Sequence, residues 1–490
     1  SLITPAEEAE YGTMMLAQLR HFDLVLEDPL VDSWLDTLGH RLTGASDDSR
    51  RRYTFFMLRE RQINAFATLG GYVGVNSGLV LAADREDEVA GVLAHEIAHV
   101  TQQHVLRSVE RAQKDQLPVL LAMLGAIALS QSASSNSSGN AAQAAMMAAM
   151  GLAQQRQINY TRSNEAEADR VGIQALARGR FDPTGMADFF AKLQARSRTN
   201  SASLYGETPD YLRSHPMTLT RITEAKERAE RLAKAPAEFD PSDAPGDNPL
   251  LPGGWRLGPS SGRGVTGLFD YARERLRVLS ALTPAAAISE YDAMKRARAL
   301  TGAQQYGLAV ANLQAGQPRT ALPLLQALAA SHPSDIWPQL ALGEAEAATG
   351  NGTAADARFE ALVRQTPESR AVVLTYARIL GERGSAAAGK RAQAILRPLM
   401  SASADDAVFQ QIFARASEIA GDPVRAGEAH AEAAYLGGRP ELALVQLNHL
   451  KKRPDLDYYA RARIDARIAA ITPTVLELRR QGIRDEDVRR

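Results

Sequence analysis

Two histidines and a glutamate stand close together in the segment Gly-Val-Leu-Ala-His-Glu-Ile-Ala-His-Val, residues 91–100. His95, Glu96 and His99 form the pattern H-E-x-x-H. In a helix, residues four apart lie on the same face, so the two histidines can share a metal ion. The glutamate can then act as general base on a water molecule bound to that ion. The chain has no cysteine, which excludes a thiolate ligand or a cysteine nucleophile.

The residues around this pattern predict one buried helix. Glu86, Asp87 and Glu88 place negative charge in a first turn, where it suits the helix dipole. The apolar side chains that follow recur at helical spacing, and they are Val89, Val92, Leu93, Ile97 and Val100. The histidines therefore flank a buried stripe.

A zinc hydrolase needs a third protein ligand and an open position for water. His104 lies about 140° further round a continuing helix than His99, which favours a packing or outer-shell role. Glu165 and Asp169 are four residues apart and share a helix face, whereas Glu167 points elsewhere. We expect Glu165 to bind the metal and Asp169 to fix a ligand histidine. A solvated acidic helix is the alternative.

The H-E-x-x-H pattern followed by Asn164-Glu165-Ala-Glu-Ala-Asp169 resembles the zinc peptidases that include the CaaX prenyl proteases and the heat-shock membrane proteases. The resemblance extends to the Asn-Ala-Phe stretch in residues 63–79 and to Ser214-His215-Pro216 with Arg221 six residues later. It implies Glu165 as the third ligand of one zinc ion per subunit. It also implies Glu96 and Asp169 as catalytic residues, with Arg221 in support.

A short strand is predicted just before the metal-binding helix. Its residues Tyr72, Val73, Gly74 and Val75 lie between glycine-containing turns. We expect this strand to offer a free edge to an extended peptide substrate, which would form main-chain hydrogen bonds with it. An ordinary core strand is the alternative.

His215 precedes a proline, so an extended or turn conformation is expected for it rather than a helix. From such a loop the side chain has two functional roles open to it. It can be a fourth metal ligand in a resting state, or it can donate a hydrogen bond to the transition-state oxyanion. A loop histidine with neither role is the third alternative.

Composition restricts the class of partner. Arg and Lys number 56 against 57 Asp and Glu, which gives a net charge of −1 and no signature of nucleic-acid binding. The lack of cysteine suits the periplasm. The chain begins Ser1-Leu2-Ile3 without methionine or an apolar signal core, which suggests that a signal peptide was removed.

Residues 116–155 contain no charged side chain, and a serine- and asparagine-rich tip at 130–140 divides them. Each apolar arm has about 13 residues, against the roughly 20 needed to cross a bilayer as a helix. We expect a helical hairpin that covers the cleft or touches a membrane surface. A buried core hairpin is the equal alternative.

The C-terminal half repeats with a period of 34 residues. Gly316, Gly350 and Gly384 are spaced at this interval, and Gly421 follows 37 residues later. A helix, a glycine turn and a second helix at this period are typical of tetratricopeptide repeats, which stack into a solenoid that binds partners. Proline and glycine crowd residues 236–264. The predicted domains are therefore a peptidase at 1–235, a linker at 236–264 and repeats at 265–490.

The predicted fold is mainly α, with an N-terminal α+β zincin-type domain that has a small sheet and an α-solenoid after it. This combination resembles the family of bacterial beta-barrel assembly-enhancing proteases. The resemblance implies a periplasmic zinc endopeptidase that degrades stalled outer-membrane proteins, helps others mature and docks on the assembly machinery. A catalytically silent repeat adaptor or chaperone with a structural zinc is the alternative, although intact Glu96 argues against it. A membrane-embedded protease is disfavoured, because no stretch of about 20 apolar residues exists.

Overall fold

The computed structural model describes residues 3–107, 162–201, 209–234, 264–480 and 485. Contacts divide these residues into two compact units. The first holds the described residues within 3–12, 34–107 and 162–276, and the second holds those within 13–33 and 277–485. The predicted hairpin at 116–155 lies outside the described residues, as does the predicted linker except for Gly264.

The N-terminal part of the chain contains eight described helices and three strands. The helices are α1 (Pro5–His21), α2 (Pro29–Gly44), α3 (Ser77–Ala82), α4 (Glu86–Thr101), α5 (Arg162–Arg178), α6 (Thr184–Ser201), α7 (Asp210–Ser214) and α8 (Leu219–Lys234). The strands are β1 (Thr54–Leu58), β2 (Ala65–Ala67) and β3 (Tyr72–Asn76). A short 3-10 turn at Leu69–Gly71 leads into β3.

The three strands form one sheet in the order β1-β3-β2. β3 pairs in parallel with β1, so that Thr54 lies opposite Tyr72. On its other side β3 pairs antiparallel with β2, so that Phe66 lies opposite Gly74. The expectation that Tyr72 to Val75 offer a free edge is therefore wrong. Both ladders of β3 are already occupied by neighbouring strands, and the outer strands of the sheet are β1 and β2.

Helix α4 is the centre of the first unit. Nearly all of its side chains are buried, including both histidines and Glu96. It packs against α5 and α6. Glycines permit this close approach: a Cβ on Gly91 would lie 2.6 Å from the backbone nitrogen of Met186, and one on Gly172 would lie 3.0 Å from the carbonyl of Ala94. Helices α4 and α5 can thus carry polar side chains into one small buried space, against which α6 places Phe190.

The C-terminal part of the chain is entirely helical within the described residues. Its helices are α9 (Phe269–Leu279), α10 (Pro284–Ala297), α11 (Gly302–Gln314), α12 (Pro318–Ser331), α13 (Ile336–Ala348), α14 (Gly352–Gln365), α15 (Arg370–Arg383), α16 (Ala386–Leu396), α17 (Ala407–Ala420), α18 (Pro423–Leu436), α19 (Pro440–Leu450) and α20 (Tyr458–Arg480). From α11 onwards each helix packs on the next one, as expected of stacked helical pairs.

The periodic glycines end alternate helices of this solenoid. Gly316, Gly350, Gly384 and Gly421 directly follow or cap α11, α13, α15 and α17, and all four have φ between 68° and 86°. This left-handed conformation is strained for residues with a Cβ, which explains glycine at these positions. The predicted fold class is confirmed: the chain is mainly helical, with one small sheet and a helical repeat region. None of the described helices is long and apolar enough to cross a membrane.

Candidate metal centre

His95 and His99 lie one turn apart on α4 with their rings directed to the same point. Their Nε2 atoms are 3.0 Å apart, and the two rings are perpendicular within 15°. Both side chains are completely buried. The helical spacing of the motif therefore produces the convergence that the sequence predicts.

Glu165, in the first turn of α5, brings a carboxylate to the same point. Its Oε2 lies 3.4 Å from Nε2 of His95, and its Oε1 lies 3.4 Å from Nε2 of His99. The side chain is buried. Burial raises the pKa of Glu165, but the surrounding histidines outweigh this effect and hold it well below its usual range. Glu165 is therefore an anion at neutral pH, as a metal ligand must be.

His215 directly follows α7 in a non-helical conformation, with φ at −122° and ψ at 81°. Its Nδ1 lies 3.3 Å from Nε2 of His95 and 3.2 Å from each carboxylate oxygen of Glu165. The ring stacks on Tyr211 at a centroid distance of 4.5 Å. Of the two functional roles open to His215, a fourth ligand agrees with this position.

The four side chains His95, His99, Glu165 and His215 each offer one ligand atom, and all four atoms lie within 4.8 Å of one another. Bonds of 2.0–2.2 Å in a tetrahedron place neighbouring ligand atoms about 3.3 Å apart. The separations of His95 from His99, His215 and Glu165 are 3.0–3.4 Å, which is close to this value. The residues therefore fit a zinc-sized cation bound by nitrogen and oxygen.

Glu96 lies beside this cluster and is completely buried. Its Oε1 is 3.6 Å from Nε2 of His215, and neither carboxylate oxygen makes a hydrogen bond of normal geometry among the described residues. Burial raises the pKa of Glu96, and the charges of His215 and His95, together with the nearby Tyr211 hydroxyl, partly oppose that increase. A buried carboxylate without such a bond costs free energy unless a ligand or water satisfies it. The glutamate is thus placed to accept a proton.

Asp169 and Arg221 lie on the Nδ1 side of His95, opposite the nitrogen that faces the other ligand atoms. Oδ1 of Asp169 lies 2.9 Å from Nδ1 of His95. Arg221 donates to both oxygens of Asp169 at 2.8 Å, and its Nη1 lies 2.9 Å from Oε2 of Glu165. Burial favours the neutral form of Asp169, but Arg221 and His95 hold its pKa below its usual range. The arginine also donates to the carbonyl of Pro216, which ties the loop of His215 to this group.

The sequence favoured a packing or outer-shell role for His104, but its partners and the contacts of Tyr211 and Phe190 did not emerge from the sequence. Nδ1 of His104 lies 2.8 Å from Nδ1 of His99, and Glu167 contacts the far side of the His104 ring. Tyr211 stacks on His215, and the ring of Phe190 meets His95 edge-on at 5.8 Å. The position of Tyr211 four residues before His215 was the one available signal. Tyr72, Val73, Gly74 and Val75 contribute no atom to the cluster.

Two family models match separate stretches of the chain. The model of Peptidase family M48 matches residues 29–229. A tetratricopeptide-repeat model matches residues 312–379. The first match contains the whole metal centre, and the second contains the first two of the periodic glycines, Gly316 and Gly350.

Of three similar proteins, one aligns with nearly the whole chain and two align with about half of it. A beta-barrel assembly-enhancing protease of Yersinia pestis is 30% identical over 471 residues, which covers 94% of this chain and 87% of the relative. A putative beta-barrel assembly-enhancing protease of Vibrio cholerae is 42% identical over 229 residues, so this alignment spans 47% of the chain and 45% of the relative. The mitochondrial metalloendopeptidase OMA1 of Schizosaccharomyces pombe is 25% identical over 219 residues, or 45% of the chain.

Proposed function

Because this chain belongs to the family of the beta-barrel assembly-enhancing proteases, we propose that it is a zinc metalloendopeptidase of the periplasm. On this proposal it cleaves misfolded or stalled outer-membrane proteins and assists the assembly of others. The names of its relatives from Yersinia pestis and Vibrio cholerae support the class of client. The repeats would dock on the outer-membrane assembly machinery.

The choice of zinc rests on the ligand set. Two imidazoles and a carboxylate are the ligands of a catalytic zinc site that keeps a further position open. A bound zinc ion supplies a polarised scissile carbonyl and an acidified water. A set of imidazoles and one carboxylate suits this cation better than calcium, which prefers six to eight oxygen ligands.

The observation that carries the peptidase activity is the position of Glu96. Its buried carboxylate lies beside the four ligand atoms and makes no hydrogen bond of normal geometry among the described residues. Glu96 takes the proton of the attacking water and delivers it to the leaving amine. A structural zinc site in an adaptor protein needs no such base.

The substitution Glu96→Gln tests this proposal. The variant should fold and bind zinc like the parent, and it should lose about 10²–10⁴-fold in the cleavage of an unfolded model protein. Zinc content and cleavage are measured on the same preparations. Equal cleavage by parent and variant would contradict the peptidase hypothesis and favour the adaptor hypothesis.

A second test concerns His215. If His215 were a fourth ligand, it would occupy the position that a catalytic zinc site leaves to water, and on this proposal the ring would be displaced when water binds. His215→Ala should therefore raise the basal cleavage of an unfolded substrate if the ring blocks the site, and lower it if the ring stabilises the oxyanion. Phe190→Leu is a suitable control, because it changes packing against His95 without removing a ligand atom.

A third test concerns the clients. Glu96→Gln should retain a client that the parent releases as fragments, so cross-linking in cells should capture outer-membrane proteins on the variant. The same experiment with Glu96→Gln and His95→Ala combined separates the two regions of the chain. Capture that persists without the metal site indicates that the repeats hold the client.

A further inference from the structure

The two ligand histidines are supported by different partners. His95 meets Asp169, whereas Nδ1 of His99 lies 2.8 Å from Nδ1 of a second imidazole, that of His104. Nε2 of His104 in turn lies 3.1 Å from Oε2 of Glu167. The His104 side chain is completely buried, and that of Glu167 is one-third exposed. A continuous polar chain therefore runs from the metal centre to the surface.

The position of each proton in this chain follows from its partners. Two imidazole nitrogens can approach to 2.8 Å only when one of them carries the proton. A metal bound at Nε2 of His99 leaves the proton on Nδ1, which then donates to Nδ1 of His104. His104 must carry its own proton on Nε2, where the carboxylate of Glu167 accepts it. The carboxylate therefore selects one tautomer for both rings.

We propose that His104 and Glu167 are positioning residues, which hold His99 in the tautomer and ring orientation that metal binding requires. They act on the metal only through His99. This inference rests on the proposed zinc centre and assigns to it a second line of support, independent of Asp169 and Arg221.

Packing alone does not account for His104. Its neighbours Val105 and Leu106 are the residues that pack, in a small apolar cluster with Leu69. A leucine in place of His104 would leave the buried Nδ1–H of His99 without this acceptor. Leaving a buried donor unsatisfied is more costly than losing an ordinary contact. Arg107 and Arg170 lie 3.8 Å from the two oxygens of Glu167 and favour its charged form.

The test measures zinc affinity in the full-length protein by competition with a chelator. All variants carry Glu96→Gln, so that peptidase activity does not enter the measurement. His104→Leu removes the acceptor, and zinc affinity should fall about 10- to 100-fold. His104→Asn places an amide oxygen near the former Nδ1 and should recover most of the affinity. Glu167→Gln keeps an acceptor without its charge and should weaken binding less, by about two- to tenfold.

Leu106→Ala is the matched control, because it removes buried atoms next to His104 without touching a hydrogen bond of His99. Its zinc affinity should equal that of the parent. Parent affinity in His104→Leu, or equal affinities in the Asn and Leu variants, would overturn the role of His104. Unchanged affinity in Glu167→Gln would overturn the role of Glu167, and this partly exposed position is accessible to substitution even if His104 variants fail to fold. Either result leaves the proposed peptidase activity intact, which Glu96→Gln tests separately.

Discussion

The peptidase unit and the repeat unit place their charged side chains in opposite environments. In the metal centre, six ionisable side chains are each at most 2% exposed, and they are His95, Glu96, His99, Glu165, Asp169 and His215. In the repeats, several ion pairs between helices lie at the surface, although Glu346 and Glu441 are buried in theirs. The arginines of the pairs Arg378–Glu344 and Arg391–Glu360 are 46% and 42% exposed.

Because of this difference, charged side chains should affect stability in the peptidase unit more than in the repeat unit. Charges in the buried centre depend on one another, because each would be strongly destabilising without its partner. Charges on the repeats are screened by water and contribute little individually. The repeats are held instead by apolar contacts, such as the stacking of Phe359 on Tyr376 at 4.9 Å, and by small residues where helices meet. Changes to charge should therefore matter in one unit, and changes to volume in the other.

The largest expected effect is that of the metal itself. Zinc at ten thousand times its Kd should stabilise the first unit by about 5.5 kcal/mol, because it binds the folded state only. Hydrogen exchange followed by mass spectrometry should show slower exchange in α4 and α5 and no change in α13 to α15. His95→Ala should abolish the slowing. If zinc slowed hydrogen exchange in the repeats as much as in α4 and α5, the contrast between the two units would be wrong.

The next effect concerns Arg221. Arg221→Met leaves the buried carboxylates of Asp169 and Glu165 without their guanidinium partner, and should destabilise the first unit by about 3–5 kcal/mol. Urea dependence of hydrogen exchange in α5 and α8 measures this loss. Adding Asp169→Asn should recover part of it, since one unpaired charge is then removed. A second substitution that made the loss larger would show that the charge is not its cause.

In the repeats, a change in volume should have an intermediate effect. A Cβ on Gly343 would lie 2.7 Å from the ring of Phe359, so Gly343→Leu should destabilise α13 and α14 by about 1–3 kcal/mol. Exchange of the amides in these helices provides the measurement. Gly302→Ala is the control, because its Cβ would meet nothing closer than 3.6 Å. If Gly343→Leu were as stable as the parent, close packing would not be the source of repeat stability.

The smallest effect should come from a surface charge. Arg378→Gln removes an ion pair at 2.7 Å to Glu344, yet should cost only about 0.2–1 kcal/mol. Exchange in α13 and α15 measures it. A loss as large as that of Arg221→Met would show that the repeat charges form a cooperative network, and the contrast between the units would fail.

The sequence predicted the centre well where local spacing determines geometry. The i, i+4 positions of His95 and His99 place both rings on one face of α4, and those of Glu165 and Asp169 do the same on α5. The glycine period likewise depends on local backbone conformation. These features follow from helix geometry alone, with little influence from the rest of the fold.

Long-range features were less accessible. The residues Tyr72 to Val75 were correctly assigned to a strand, but their central place in the sheet depends on where β1 and β2 pair. A strand of five residues with little alternation does not reveal whether its two edges are free. The link between His104 and Glu167 joins residues 63 positions apart, and no sequence period relates them.

The centre also depends on residues that lie far apart along the chain. His215 meets His95 across 120 residues, and Arg221 comes six residues later still. Bringing residues so far apart together costs loop-closure entropy, which is offset only when the other contacts of the fold form. A nascent chain that ends before residue 221 lacks part of the centre. The H-E-x-x-H helix can therefore form early, while the complete set of groups around it assembles only after residue 221 is available.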